Sequence, residues 1–145
     1  MSHLSLRENS YRRKHLAYVR HITLDPTGPG VVRIHMIPPH SRSPEDPYLL
    51  LLNGAQLVPL NFSWAVLLSE FMYCMEPYAG VEISADDWES MLEQAVRAVK
   101  KKVYPFVKAQ ILREDMGTLL RSLVAIARGQ EPEVEVAPLS LGEYA

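Results

Sequence analysis

The side chains with most chemistry to offer are five histidines, one cysteine and one pair of adjacent aspartates in a chain of 145 residues. His3, His15, His21, His35 and His40 all fall in the first forty residues, and none has a patterned carboxylate, serine or cysteine beside it. A general base or a nucleophile's partner needs such a neighbour to hold its proton and orientation. No two histidines stand at the helical i, i+4 spacing of a zinc site, and neither a phosphate-cradling glycine loop nor a G-x-S-x-G elbow occurs. Cys74 lies in an apolar stretch and reads as a small buried hydrophobe. A lone cysteine also excludes an intrachain disulfide and any cysteine-built zinc or iron–sulfur cluster held by this chain alone. Asp86 and Asp87 read as a helix start rather than an acid/base pair, and Trp64 and Trp88 as core side chains. The chain is not expected to be an enzyme, and no metal or other cofactor is expected.

The elements that must position any site divide into two halves. Residues 16–24 alternate, with Leu16, Tyr18, Ile22 and Leu24 on one face, and so do Val32, Ile34 and Met36. Period two with β-branched residues predicts strands, and the intervening Asp-Pro-Thr-Gly-Pro-Gly predicts their turn. Matching the apolar faces pairs Leu24 with Val32 and Ile22 with Ile34, which sets His21 opposite His35. Two opposed histidines can share a metal, but with no third ligand in reach a half-solvated sheet face is the better reading. Four prolines within 38–47 predict a loop. Residues 48–52, Tyr-Leu-Leu-Leu-Leu, run into Asn53-Gly54, a pair suited to the positive φ angles of a tight hairpin. Residues 57–60 form the return strand, and Pro59 places it at a sheet edge.

Helices follow. Asn61 or Ser63 caps a helix carrying Trp64, Leu67, Leu68, Phe71 and Met75 on one face, with Ser69 and Glu70 off that face. Ser84-Ala85-Asp86-Asp87 starts a second, whose stripe is Trp88, Met91, Leu92, Ala95, Val96, Val99 and Val103 and whose last turn holds Lys100, Lys101 and Lys102. The last stretch places Ile111, Leu112, Met116, Leu119, Leu120, Leu123 and Ile126 on one face and stops at Gly129. Gly117 costs helicity, so two helices joined near Arg113 are the alternative. The prediction is an α+β domain over 16–129, a small antiparallel sheet of three or four strands packed on about three helices. A flexible basic arm is expected at 1–15 and an acidic linker or tail at 130–145.

Composition is that of a globular chain, 48% hydrophobic and 22% charged, with no run long enough to span a membrane. No signal-peptide pattern is present at the start, which predicts a cytoplasmic protein without membrane partners. The net charge of −2 hides strong segregation. Residues 1–42 carry seven Lys/Arg against two acids, 43–96 carry nine acids and no Lys/Arg, 97–128 carry eight Lys/Arg against two acids, and 129–145 carry four acids. Such blocks meet each other within the fold or face a charged partner. Strands followed by helices with an edge hairpin are the outline of a winged helix, which raises DNA binding. The last helix, however, would bring Glu114 and Asp115 to the phosphates beside Arg113, Arg121 and Arg128, so nucleic acid is not the expected partner.

The segment YLLLLNGAQLVPLNFSWAVLLSEFM at 48–72 resembles PqqD-like domains, also called RiPP recognition elements. Leu60-Asn61 at the end of a strand and Ala65-x-x-Leu68 in the next helix carry the match, which extends over about residues 31–128. The region is also similar to the segment preceding the cluster-binding core of radical SAM peptide-modifying enzymes. The second and third helices are longer than that family's pattern, the strand at 16–24 is extra to it, and no C-x-x-x-C-x-x-C triplet occurs. The resemblance implies a winged-helix-like domain that binds the leader of a precursor peptide as an added strand and presents it to a radical SAM enzyme or catalytic domain. In such strand addition, backbone hydrogen bonds give affinity and pockets for alternate side chains give specificity. The implied peptide-binding residues are Leu57, Val58, Pro59 and Leu60 on the edge, with Met116, Leu119, Leu120, Leu123 and Arg113 on the neighbouring helix. Arg113 and Arg121 suit an acidic leader. Pro59 costs the peptide a hydrogen bond only if its backbone faces outward. Core packing is the competing reading for each apolar residue, and a dimerising or scaffold domain that pairs edges or helices is the competing function.

Overall fold

The computed structural model describes residues 21–24, 32–37, 48–78 and 84–136. Among these, four strands form one antiparallel sheet: β1 (His21–Leu24), β2 (Val32–Ile37), β3 (Tyr48–Leu52) and β4 (Gln56–Leu60), paired in chain order. Three helices follow: α1 (Phe62–Met75), α2 (Ala85–Lys102) and α3 (Ala109–Ala127). The class is α+β, as the segregation of strand and helix patterns predicts. The expected arm at 1–15, the residues 16–20 and the proline-rich loop at 38–47 lie outside the described residues.

The first hairpin has the register that its apolar faces dictate, with Leu24 opposite Val32, Ile22 opposite Ile34 and His21 opposite His35. Ile34 in turn meets Leu52, and His35 meets Leu51. Between β3 and β4, Asn53 (φ 54°) and Gly54 (φ 75°) make the tight turn, closed by the Ala55 N–H donating to the Leu52 carbonyl at 3.1 Å. Asn53 also fastens the turn to β2. Its own N–H donates to the Arg33 carbonyl at 2.8 Å, and its side-chain oxygen accepts from the Arg33 N–H at 3.0 Å.

The inner face of the sheet carries Ile34, Tyr48, Leu50, Leu52, Val58 and Leu60, all buried in one core with the helices. α1 runs through the centre of that core. Asn61 caps it, accepting from the Trp64 N–H at 2.8 Å. The helix buries Ala65, Val66, Leu67, Leu68, Phe71 and Met72 completely. Ser69 and Glu70, expected off the apolar face, are buried too, because α1 packs against β4, α2 and α3 together. α2 is amphipathic as predicted. Ser84 caps it, accepting from the Asp87 N–H at 3.1 Å, and Trp88 meets Phe71 edge-on with ring centroids 5.0 Å apart. Its end is closed by Lys100, whose ammonium donates to the carbonyls of Pro105 and Val107 at 3.0 and 2.7 Å.

α3 is a single helix that runs unbroken through Arg113 and Gly117, so the two-helix alternative falls. Its packing on α1 and α2 outweighs the local cost of the glycine. The chain after it also differs from expectation. Residues 131–136 do not leave as a plain linker: Val136 is only 5% exposed and belongs to the core, with Val134 packed beside it. The charge blocks meet within the fold. Lys102 pairs with Glu70, Arg113 with Glu89 and Glu93, and Arg121 with Glu133.

Candidate functional site

The candidate site is the edge of β4, which pairs with no second strand among the described residues. Which backbone groups face it follows from the hairpin turn. The Leu52 carbonyl points toward β4, since it accepts from Ala55, and the next residue, Asn53, points its N–H toward β2. Backbone direction alternates along a strand. Leu52, Leu50 and Tyr48 therefore face β4, and their partners Gln56, Val58 and Leu60 face back toward β3. Leu57 and Pro59 are left facing outward. The free edge offers the Leu57 N–H, the Leu57 carbonyl and the Pro59 carbonyl, while the donor that Pro59 lacks is missing on the outward side. Pro59 spares the β3–β4 ladder and removes one hydrogen bond from any added strand.

Side chains sort the same way. Val58 and Leu60 point into the core and anchor the strand, whereas Leu57 is 59% exposed and Pro59 half-buried. Leu57 ends a row that crosses the whole sheet through Leu51 and His35 to the position of His21. Leu49 and Pro59 form the next row on this outer face. The outer face of β3 and β4 is thus apolar, and the signal for it is in the sequence. An unbroken run such as Tyr48-Leu49-Leu50-Leu51-Leu52 is apolar on both faces of a strand, whereas a half-solvated strand alternates.

The expected wall of the groove is not presented as a surface. Met116, Leu119, Leu120 and Leu123 are fully or almost fully buried in the core, on a helix that packs against α1 and α2. They form the seam that holds the helices together, and the period that marks a groove-lining helix is the same as the one that marks a core-facing one. Arg113 is on the outer surface, bound to Glu89 and Glu93 on α2 rather than facing β4. The other predicted cation, Arg121, is engaged more elaborately. It donates to both carboxylate oxygens of Glu133, at 2.6 Å from Nε and 3.4 Å from the guanidinium terminus, and to the Thr118 hydroxyl at 3.3 Å.

Chemistry elsewhere is sparse. Burial is the main cause that pushes the Cys74 thiol up from its ordinary range; the Glu70 carboxylate adds to the rise and Lys102 opposes it. That disfavours the thiolate a nucleophile needs. The Ser63 and Tyr104 hydroxyls hydrogen-bond each other at 3.1 Å inside the core. Among the described residues no cluster of three metal-ligating side chains forms, and no helix is long and apolar enough to cross a membrane. No family model matches this chain, and no curated protein or solved structure matches it either.

Proposed function

We propose that this chain is a non-catalytic peptide-binding domain that takes up an extended segment of another polypeptide as a fifth strand on β4. The observation that carries this reading is the outward backbone of Leu57 and Pro59 on an edge whose Leu57 side chain is exposed. The resemblance to RiPP recognition elements narrows the partner to the leader of a ribosomally made precursor. The order of sheet and three helices suits their winged-helix-like fold. On this reading the bound leader is presented in the cytoplasm to a radical SAM enzyme or catalytic domain.

The test is backbone NMR of the full chain with and without the short peptide encoded beside its gene. Shifts concentrated at residues 57–61 are expected. An unshifted edge at saturating peptide would overturn the reading. A second reading, self-association as a scaffold, is favoured by the apolar outer rows formed by Leu49, Leu51, Leu57 and Pro59. Two β4 edges can pair with Leu57 opposite its copy, exchanging two hydrogen bonds without calling on Pro59. Light scattering separates the two: a dimer that the Leu57→Lys variant dissolves favours the scaffold.

A further inference from the structure

Residues 131–136 are folded back onto the domain as an irregular segment that bends at Glu133 and Val134. α3 ends in a left-handed Gly129 (φ 73°), with the Gln130 N–H donating to the Ala125 carbonyl at 2.8 Å and the Gly129 N–H to Ile126 at 3.1 Å. This is a Schellman reversal, which turns the chain out of the helix. Beyond it the side chains alternate. Glu131, Glu133 and Glu135 are exposed, Pro132 and Val134 half-buried, and Val136 buried.

The surface that receives the segment is shaped for it. Thr118 and Gly117 flank the Arg121 guanidinium, and a Cβ at 117 would meet that group at 3.2 Å. The glycine whose helical cost raised the two-helix alternative therefore lies where Arg121 needs room. Arg121 then grips Glu133 through two donors, a geometry that selects a carboxylate. Three residues further on, Val136 supplies the buried aliphatic anchor. One charge clamp and one buried anchor on a short segment are elements of peptide recognition.

We propose that residues 131–136 are a built-in occupant of a peptide site on α3, standing in for an external ligand that carries a carboxylate followed by aliphatic residues one and three positions later. The proposal goes beyond the peptide-binding reading above: it adds a second site, on α3, and states the chemistry of the ligand that site would take. A segment tethered by so short a turn competes at an effective concentration in the millimolar range. An external peptide must displace it, so the site is masked until a ligand of matching pattern is abundant or tethered nearby.

The test uses the full chain and a labelled synthetic peptide, GQEPEVEVA, the sequence of residues 129–137. In Val134→Asp/Val136→Asp the tail is released while α3 is untouched. In Glu133→Lys an exposed residue alone is changed, which keeps the test valid if the double variant does not fold. Peptide affinity at least tenfold above that of the unaltered chain is expected for a folded variant. Adding Arg121→Glu should abolish binding, and a peptide with lysine at its Glu133 position should restore it. Unchanged affinity in folded Glu133→Lys, or insensitivity to Arg121→Glu, would overturn the proposal. Shifts at Leu57 on adding the precursor peptide, without any binding of GQEPEVEVA, would sink this inference and leave strand addition standing; absence of both would sink both.

Discussion

Lys102, in the last turn of α2, holds its ammonium 2.9 Å from the carboxylate of Glu70, which is 1% exposed in the middle of α1. The pair ties the end of one helix to the buried flank of another. Removing the cation leaves a carboxylate in the core without this counter-charge, and breaking a buried pair is more costly than the pair's net worth. Lys102 is 39% exposed, so solvent offsets part of the loss. We expect Lys102→Met to destabilise the fold by about 1–3 kcal/mol in urea unfolding, and Glu70→Gln to cost less. A Lys102→Met variant of unchanged stability would show the pair to be incidental.

The same pair modulates the reactivity of Cys74, which burial chiefly sets. Burial first, and the Glu70 charge second, hold its thiol above the ordinary range, while Lys102 lowers it. The thiolate fraction at neutral pH is therefore smaller than that of a free cysteine. Iodoacetamide should modify Cys74 slowly at neutral pH, with a rate that climbs only above the ordinary thiol midpoint of about 8.5. Glu70→Gln should shift that profile downward and Lys102→Met upward. Opposite or absent shifts would contradict the assigned causes.

The edge of β4 can be altered in both directions. Pro59→Val adds an outward N–H, and Leu57→Pro removes the outward donor that exists there. One backbone hydrogen bond is worth about 1 kcal/mol, or roughly fivefold in affinity. Precursor-peptide affinity measured by calorimetry should rise by that factor in the first variant and fall by at least as much in the second. Equal affinity in all three chains would place the peptide elsewhere.

Docking of the tail should depend on acid and salt. Hydrogen bonding to Arg121 holds the Glu133 carboxyl below its ordinary range and raises Arg121. A carboxylate with a lowered folded pKa contributes fully above its free value, and the contribution is lost as pH falls through the lowered one. Arg121 stays charged throughout, and the neighbouring acids on the segment are Glu131 and Glu135. The Val136 methyl signals should be those of the docked tail at neutral pH and should broaden or move at acid pH below the ordinary glutamate range. Because the pair is exposed, high salt should act in the same direction. Signals indifferent to both would show that the valines alone hold the tail.

Much of the framework is legible residue by residue. The pairing of Ile22 with Ile34 follows from matching apolar faces, the Asn53-Gly54 turn from its need for positive φ, and the helix starts from Asn61 and Ser84. What escapes is what depends on third partners. Glu70 looks like a surface residue because period alone cannot reveal that α1 is covered on several sides, its flank at Glu70 included. Met116, Leu119, Leu120 and Leu123 are apolar at helical spacing whether they line a groove or a core. Val134 and Val136 do alternate, but the signal is only two residues long within an acidic, proline-bearing stretch. Their burial accompanies the Gly129 reversal and the Arg121–Glu133 pair, which join residues far apart in local pattern.

The spatial order of the strands repeats their order in the chain. Each new strand therefore closes against the one made just before it, with contacts local in sequence and little loop entropy to overcome. Followed along the chain, the sheet adds its strands in one direction, from β1 to β4. At Leu60 the chain leaves that direction through Asn61 and enters α1. A peptide laid on β4 would be the next step of the same growth, taken by a second molecule where the first has turned away.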